Sequence, residues 1–375
     1  MQANYSVPGI IREEVFPTVQ PALVTGVPVF LGRVAKAKES GLRSLKLWTE
    51  FASYFAASSK TLLAAAVRGF FENGGQWCYV LPIAELSQEA LSNALIELES
   101  LDKIDLVCAP DLATLPIAEA IRLQQLVLEH CDRLGNRFAI LDAVNDSIGQ
   151  IKDQQSQLSS SNAGSNGALY APWVKLVSKE VVPPCGHIAG LYAQRDRSSG
   201  VHMPPANLVV EGIIDLSYTI APEQFRELNP NYGTVSAGVN CLQVLPGRGI
   251  RVWGIRTLSR DPDWFYISVR RLFITLFRWI DLNLASAAFE PNDFRLWRSI
   301  ERELTVYLES LLQKGALKGG LAEQAFYVRC NDTTNTIADR EAGRVITEIG
   351  LAPIMPNEFI TVRFIQGETG VVART

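Results

Sequence analysis

Histidine is the side chain best placed to exchange protons near neutral pH, and this 375-residue chain has three: His130, His187 and His202. A nucleophilic triad needs one of them beside an activated serine or cysteine, and none lies in a G-x-S-x-G elbow or an equivalent cysteine context. His130 falls in an amphipathic stretch next to Cys131 and reads as structural. Cys185-Gly-His187 together with His202 offers metal-binding side chains, but a zinc site needs three or four ligands at matched spacings, and these spacings match none. Gly247-Arg-Gly249 begins like a dinucleotide fingerprint, yet Val252 stands where the third glycine belongs and a strand-like run follows in place of a helix. No Walker A sequence is present. Asp105, Asp111 and Asp142 lie at the ends of predicted strands, where α/β enzymes often hold acids. Lacking histidine, lysine or metal partners, they read as strand caps and turn formers. The sequence therefore predicts no catalytic residue, no cofactor and no metal site.

Its conspicuous segment is instead Pro246-Gly-Arg-Gly-Ile-Arg-Val-Trp-Gly-Ile-Arg-Thr-Leu-Ser259, followed by Ser259-Arg-Asp-Pro-Asp263 and a basic, aromatic helix from Trp264. Arg248, Arg251, Arg256, Arg260, Arg270 and Arg271 could grip a nucleic acid. Against that, Lys+Arg is 35 and Asp+Glu is 39, a net charge of -4, and the nearby aromatics sit where a core would use them. Arginines and glycines with no reactive group beside them suggest packing against other chains. The six cysteines are scattered without C-x-x-C spacing and read as reduced, buried thiols. Residues 1–14 lack the basic start and apolar core of a secretion signal. The most hydrophobic helix, Tyr266–Leu284, is interrupted by Arg270, Arg271, Arg278 and Asp281, so it is not a membrane span. The expectation is assembly in the cytoplasm, without nucleic acid and without direct membrane insertion.

The elements that would carry these residues alternate. Strand-like runs at Leu23–Leu31, Gln76–Leu81, Ile104–Ala109 and Arg137–Leu141 are separated by helical patterns at Leu47–Ala57, Thr61–Phe71, Gln88–Leu101 and Ile117–Leu134. That order predicts a largely parallel sheet with helices packed on it. The Ser/Asn/Gly-rich run over residues 154–167 reads as a solvated, mobile loop on the outer surface. A strand Ala168–Val177, a helix from Pro183 to Arg195 and a strand Asn240–Leu245 follow. Beyond a boundary at 245 come two long helices, Trp264–Leu284 and Asp293–Lys314, then strands at Gln324–Cys330, Arg344–Leu351 and Glu358–Gln366. Residues 1–22 are strand formers broken by prolines, too short for a domain and suited to adding a strand to another sheet.

Several segments, in order along nearly the whole chain, resemble the contractile tail sheath proteins of phages and phage-like injection systems. They are Tyr5-Ser-Val-Pro-Gly-Ile-Ile-Arg-Glu-Glu-Val15, Ala66-Val-Arg-Gly-Phe-Phe-Glu-Asn-Gly-Gly75 with Cys78-Tyr-Val80, and Tyr170-Ala-Pro-Trp173. Val182-Pro-Pro-Cys-Gly-His-Ile-Ala-Gly190 and Gly200-Val-His-Met-Pro-Pro-Ala-Asn207 follow, then the Pro246–Ser259 segment and Val269-Arg-Arg-Leu-Phe273. Phe289-Glu-Pro-Asn-Asp293, Leu296-Trp297 and Ile349-Gly-Leu-Ala-Pro-Ile-Met-Pro-Asn-Glu-Phe359 complete the set. The chain looks most like the compact sheaths of R-type pyocins and extracellular injection particles.

The resemblance implies an α/β plus α+β fold. An N-terminal arm (1–22) precedes an α/β domain of subtilisin-like topology (23–245), a C-terminal α+β sheath domain (246–359) and a C-terminal arm (360–375). It implies no enzyme, but stacked hexameric rings of the chain itself around an inner tube protein, with baseplate, tail terminator or cap proteins and sheath paralogues as further partners. The arms would lend strands to neighbours through Tyr5, Val7, Ile10, Val15, Phe16 and Val19 at one end. Ile360, Val362, Phe364, Val371 and Val372 would do so at the other. Arg295, Arg298, Arg302, Lys314 and Lys318 are the candidate tube-facing cations, with Glu301, Glu303 and Glu309 as alternative local partners on a solvated helix face. The alternatives left open are a non-contractile collar or cap-proximal paralogue and an α/β enzyme.

Overall fold

Apolar runs long enough to be buried on both faces belong to parallel strands, and in the computed structural model Pro28–Gly32 is such a run, fully buried. The structure describes residues 23–34, 41–55, 61–229, 237–285, 290–354, 360–367 and 370–374. In chain order the first region holds β1 (Pro28–Gly32), β2 (Arg43–Leu45), α1 (Trp48–Tyr54), α2 (Leu62–Glu72), β3 (Cys78–Pro82), α3 (Gln88–Glu97) and β4 (Leu106–Cys108). It continues with α4 (Ile117–Leu134), β5 (Phe138–Asp142), α5 (Ile148–Leu158), β6 (Gly167–Ala171), β7 (Val174–Leu176), β8 (Val181–Val182) and α6 (Cys185–Ser199). Then come β9 (Ile213–Leu216), α7 (Pro222–Leu228), β10 (Val239–Leu245) and β11 (Gly249–Trp253).

Eight of these strands form one sheet in the order β11-β10-β6-β5-β4-β1-β3-β2. The six inner strands run parallel, and β11 and β2 close the two edges antiparallel. Side chains alternate across it. Phe30 joins a core with α2 and α6 residues such as Val67 and Ile188. Val29 and Leu31 point the other way, into a core with α3 and α4 residues such as Leu95 and Val127. The α2–α6 crossing is close because Gly186 faces the Ala66 backbone; a Cβ there would lie 2.1 Å from the Ala66 oxygen. A small sheet, β8-β7-β9, lies beside the main one.

The second region comprises α8 (Ile267–Asn283), α9 (Phe294–Gln313), α10 (Ala322–Ala325), β12 (Phe326–Arg329), α11 (Ile337–Glu341), β13 (Val345–Leu351), β14 (Ile360–Gly367) and β15 (Gly370–Arg374). Its strands form an antiparallel sheet in the order β12-β13-β14-β15. With α8 and α9 that sheet encloses a third core, which includes Leu276, Trp297, Leu304, Ile349, Val362 and Phe364.

Three expectations need correction. The boundary expected at 245 cuts a hairpin, because β11 pairs with β10 from Cys241↔Trp253 to Leu245↔Gly249 and belongs to the first sheet. The positive φ of Gly247 and Gly249 (70° and 76°) lets the chain reverse there rather than pass into a new domain. The run over 154–167 is not a solvated loop but mostly helical turns, exposed at Ser156, Gln157, Ser160, Ser161 and Asn162 and buried or half-buried elsewhere. It holds the end of α5 and a 3₁₀ turn at Asn162–Asn166, and Gln154 and Asn166 are 0% exposed. Gln154 accepts from Val144 N–H and donates to Gln124 and the Asp142 carbonyl, so its polarity is spent inside the fold. The single strand expected over Ala168–Val177 is two strands in different sheets, parted around Pro172.

Candidate assembly surfaces

Of the positions that could have done chemistry, His130, Asp142, Cys185 and His187 are buried and His202 is half-buried. His187 sits in the first turn of α6 with its ring against Gly69 of α2, fully buried, and neither ring nitrogen has a partner among the described residues. Burial pushes its pKa down to about 4. Cys185 is buried at the α6 N-terminus; burial first, and then its thiol and carboxyl neighbours, push it well above the usual thiol value. Asp142 accepts from Cys185 N–H at 2.8 Å through one oxygen, and burial raises its pKa to about 7. His202 lies just past the far end of α6; at ~1.5 Å per residue that is roughly 20 Å from His187, too far to share a metal with it. No group of three metal-binding side chains occurs among the described residues. Burial and the neighbouring Arg137 and Arg133 charges bring His130 down to about 4, and Arg137 Nη1 lies 3.3 Å from its Nε2.

The arginines of the 248–271 cluster turn to the protein itself. Arg251 donates to the Asn207 carbonyl, Arg256 lies over Phe265 and Tyr266, and Arg260 reaches the Ser156 carbonyl. Arg270 donates twice to Asn166 and lies 4.7 Å from the Trp264 ring centroid. Arg271 is buried; burial opposes its charge, but the Asp196 and Asp105 carboxylates outweigh it and hold the guanidinium above its ordinary value. The exposed residues of this stretch include Arg248 at the hairpin turn, residues 260–263, and Trp253, 41% exposed on the sheet's edge strand.

Helix α9 presents an outward basic stripe. Asp293 caps it by accepting from Arg295 N–H at 2.8 Å and Leu296 N–H at 3.4 Å. Leu296, Trp297, Ile300, Leu304, Leu308 and Leu311 bury one face. The other carries Phe294 and Val306, 64% and 62% exposed, with Arg295, Arg298 and Arg302 beside them. Lys314 caps the helix end, and Lys318 is exposed beyond Gly315. Arg298 faces Glu301 at 3.7 Å with its own side chain 82% exposed. Glu301 turns its other oxygen inward to accept from Cys330 N–H at 2.9 Å. Glu301 therefore engages Arg298 weakly.

The C-terminal sheet was expected to begin a lent arm at residue 360. Here β14 pairs along its length with β13, and Ile360, Val362 and Phe364 fill the third core, Phe364 with its ring centroid 6.1 Å from that of Phe277. In β15, Val371 and Val372 are opposite Gln366 and Ile365. Tyr5, Val7, Ile10, Val15, Phe16 and Val19 lie outside the described residues. One feature had no signal in the sequence beyond isolated letters: on the sheet's outer face Glu348 binds both Arg329 (3.1 Å) and Arg363 (3.0 Å), three residues from three adjacent strands. Alternation along β13 and β14 places such residues on one face; which charges meet depends on the register.

Residues 84–258 match the phage tail sheath protein central domain and residues 259–366 the phage tail sheath C-terminal domain. A prophage major tail sheath protein of Pseudomonas aeruginosa (strain UCBPP-PA14) is 24% identical over 260 residues, which are 64% of this chain and 62% of that protein. Among solved structures, the fold matches a chain of the anti-feeding prophage baseplate with TM-score 0.77 and 30% identity, over 95% of this chain and 98% of that one. It matches the contracted helical sheath of the same particle with TM-score 0.76 and 30% identity over 95% and 98%. The contracted PVC sheath complex of an extracellular contractile injection system matches with TM-score 0.75 and 27% identity, over 96% of this chain and 97% of that one.

Proposed function

The chain belongs to the phage tail sheath family, and from that premise we propose that it is the repeating subunit of a contractile sheath. Copies stack as hexameric rings around an inner tube and shorten to drive the tube through a target membrane. The observation that carries this reading is the end-to-end likeness to a contracted helical sheath at 30% identity. Assembly takes place in the cytoplasm, and the particle's baseplate, terminator or cap and any sheath paralogue are the further partners.

Residues 1–22 lend a strand through Tyr5, Val7, Ile10, Val15, Phe16 and Val19. At the other end Val371 and Val372 of β15 are the lending part. Ile360, Val362 and Phe364 stay with the body, a division supported by their burial in the third core. Strand addition brings directional backbone hydrogen bonds between copies, and the lent strand gives up little at home. Arg295, Arg298, Arg302, Lys314 and Lys318 face the tube. Contraction consumes no ligand: the extended form is held by tube and baseplate, and release lets subunits rotate as bodies into tighter mutual contact. A bias of roughly 5.5 kcal/mol per subunit turns a two-state equilibrium from 1:99 to 99:1, and many copies sum it.

A second reading has its own support, since a chain of the anti-feeding prophage baseplate matches with TM-score 0.77. On that reading the chain is a sheath paralogue at one end of the particle that does not contract. Electron microscopy of the protein produced with its tube separates the two. Long cylinders with helical ridges that shorten on treatment support the sheath; discrete rings support the paralogue; a monomer refutes both.

A further inference from the structure

Val24–Val27, where the N-terminal segment joins the body, are gripped residue by residue. The Val24 carbonyl accepts from Arg278 Nη1 at 3.0 Å, and the Thr25 hydroxyl donates to Asp196. Gly26 and Val27 N–H donate to the two oxygens of Asp105 at 2.9 and 2.6 Å, and the Val27 carbonyl accepts from Asp105 N–H at 3.1 Å. The grips are themselves locked. Arg271 forks onto both oxygens of Asp196 at 2.6 Å and reaches Asp105 at 3.0 Å, with its guanidinium 4.9 Å from the Tyr192 ring centroid. Arg278 also donates to the Asp102 carbonyl at 3.1 Å. All four charged side chains are buried. Gly26 has φ +73°, and a Cβ there would lie 2.6 Å from Ala193 Cα, so the strand root is seated hard against α6.

Buried ion networks are poor stabilisers, since apolar side chains of like volume often serve as well. Apolar packing cannot hold consecutive backbone groups against a pull along the chain, because dispersion contacts have no direction. Charge-assisted hydrogen bonds do. We propose that Val24–Val27, held by Asp105, Asp196, Arg271 and Arg278, are the anchor at which load carried by the N-terminal segment enters the molecule. Arg271 and Arg278 lie two turns apart on one face of α8 and pass that load into the C-terminal region. Asp105 and Asp196 pass it into the start of β4 and into α6. Both regions are then pulled as one body. The proposal rests on the reading that residues 1–22 are lent to another copy.

Hydrogen exchange by mass spectrometry on the full chain, with electron microscopy of the same preparation, tests it. In the unaltered protein the Gly26 and Val27 amides exchange as slowly as those of β1. In Arg278→Met they exchange roughly a hundredfold faster while β5 and β6 keep their protection, and cylinders fail to form or break on shortening. Arg278→Lys keeps the charge without the fork and restores part of both effects; it is also the variant to read if Arg278→Met unfolds throughout. Unchanged protection at Gly26 and Val27 in these variants overturns the anchor. Lost protection with cylinders that form and shorten normally overturns it too. If the unaltered protein forms no cylinders, the sheath reading falls, and the exchange comparison alone still decides whether the grip holds.

Discussion

Reversing Arg298, Arg302 and Lys314 to glutamate in one chain separates folding from assembly. The apolar face that holds α9, Leu296 through Leu311, is untouched. The folding cost comes from a glutamate at 298 facing Glu301, now 3.7 Å from the arginine there, and from an acid at the helix C-terminus. Together these amount to no more than ~2 kcal/mol. At a tube contact each position loses an attraction of about 1 kcal/mol and acquires a repulsion of similar size, which for three positions is roughly 6 kcal/mol per subunit. At about 1.4 kcal/mol per tenfold, that is a loss on the order of 10⁴ in the affinity of each subunit for the tube. The assembly effect should therefore dominate. The expected outcome is a monomer that melts within a few degrees of the original but yields no extended sheaths when produced with its tube, counted by negative-stain microscopy. Raising salt should loosen the unaltered assembly in the same sense. Extended sheaths at normal frequency around tubes, with all three charges reversed, would refute the tube-facing assignment.

Three further perturbations follow. Phe364→Ala should cost the dispersed subunit about 3–5 kcal/mol in urea unfolding, because its ring lies in the third core near Phe277; no loss would mean that β14 is not kept by its own body. Gly186→Ala gains ~1 kcal/mol of helix propensity but sets a Cβ 2.1 Å from the Ala66 backbone oxygen. Parting two packed helices costs more than that gain, so the melting temperature should fall, and a rise would contradict the packing. Stability attributable to His187 is present above its ordinary value of 6.5 and is lost as pH falls toward about 4. That of Asp142 is present below its ordinary value of 3.8 and is lost as pH rises through about 7. Relative to the parent, His187→Leu should tilt the pH dependence of the urea midpoint toward acid stability and Asp142→Asn away from it; tilts of the same sign would count against this assignment.

The regular elements were legible wherever spacing alone decides them. Ile117–Leu134 forms a helix with the expected ends, because its apolar residues recur at helical intervals up to Gly135, which takes the left-handed φ that stops it. The parallel α/β order was equally plain from the alternation of runs. What escaped were decisions made by partners distant in sequence. Gln154 and Asn166 look solvated as letters and are buried because Gln124, Val144 and Arg270 come to meet them. The 245 boundary failed because a two-strand pairing outweighs a change in composition. The cations of α9 could be placed on one face from their spacing, but how weakly Glu301 engages Arg298 depends on its bond to Cys330, 29 residues away.

In open α/β sheets ligands bind beyond the carboxyl ends of the strands, and here that place is occupied by the protein's own packing. Cys108 ends β4, Asp142 ends β5, and Cys185 and His187 open α6 against them, all buried. Burial raises the Cys185 thiol and the Asp142 carboxyl toward their neutral forms. A neutral thiol is a poor nucleophile, and the Asp142 carboxyl, buried and accepting from Cys185 N–H, is closed off from solvent. The crevice is closed by α2 and α6, brought into backbone contact through Gly186 and Gly190, with the His187 ring seated against Gly69. A region so filled deforms little. On the proposed sheath function, free energy released at the outer faces would move such a subunit as a body rather than strain it. The same closure that buries Cys108, Asp142, Cys185 and His187 thus supplies the stiffness that the proposed contractile role calls for.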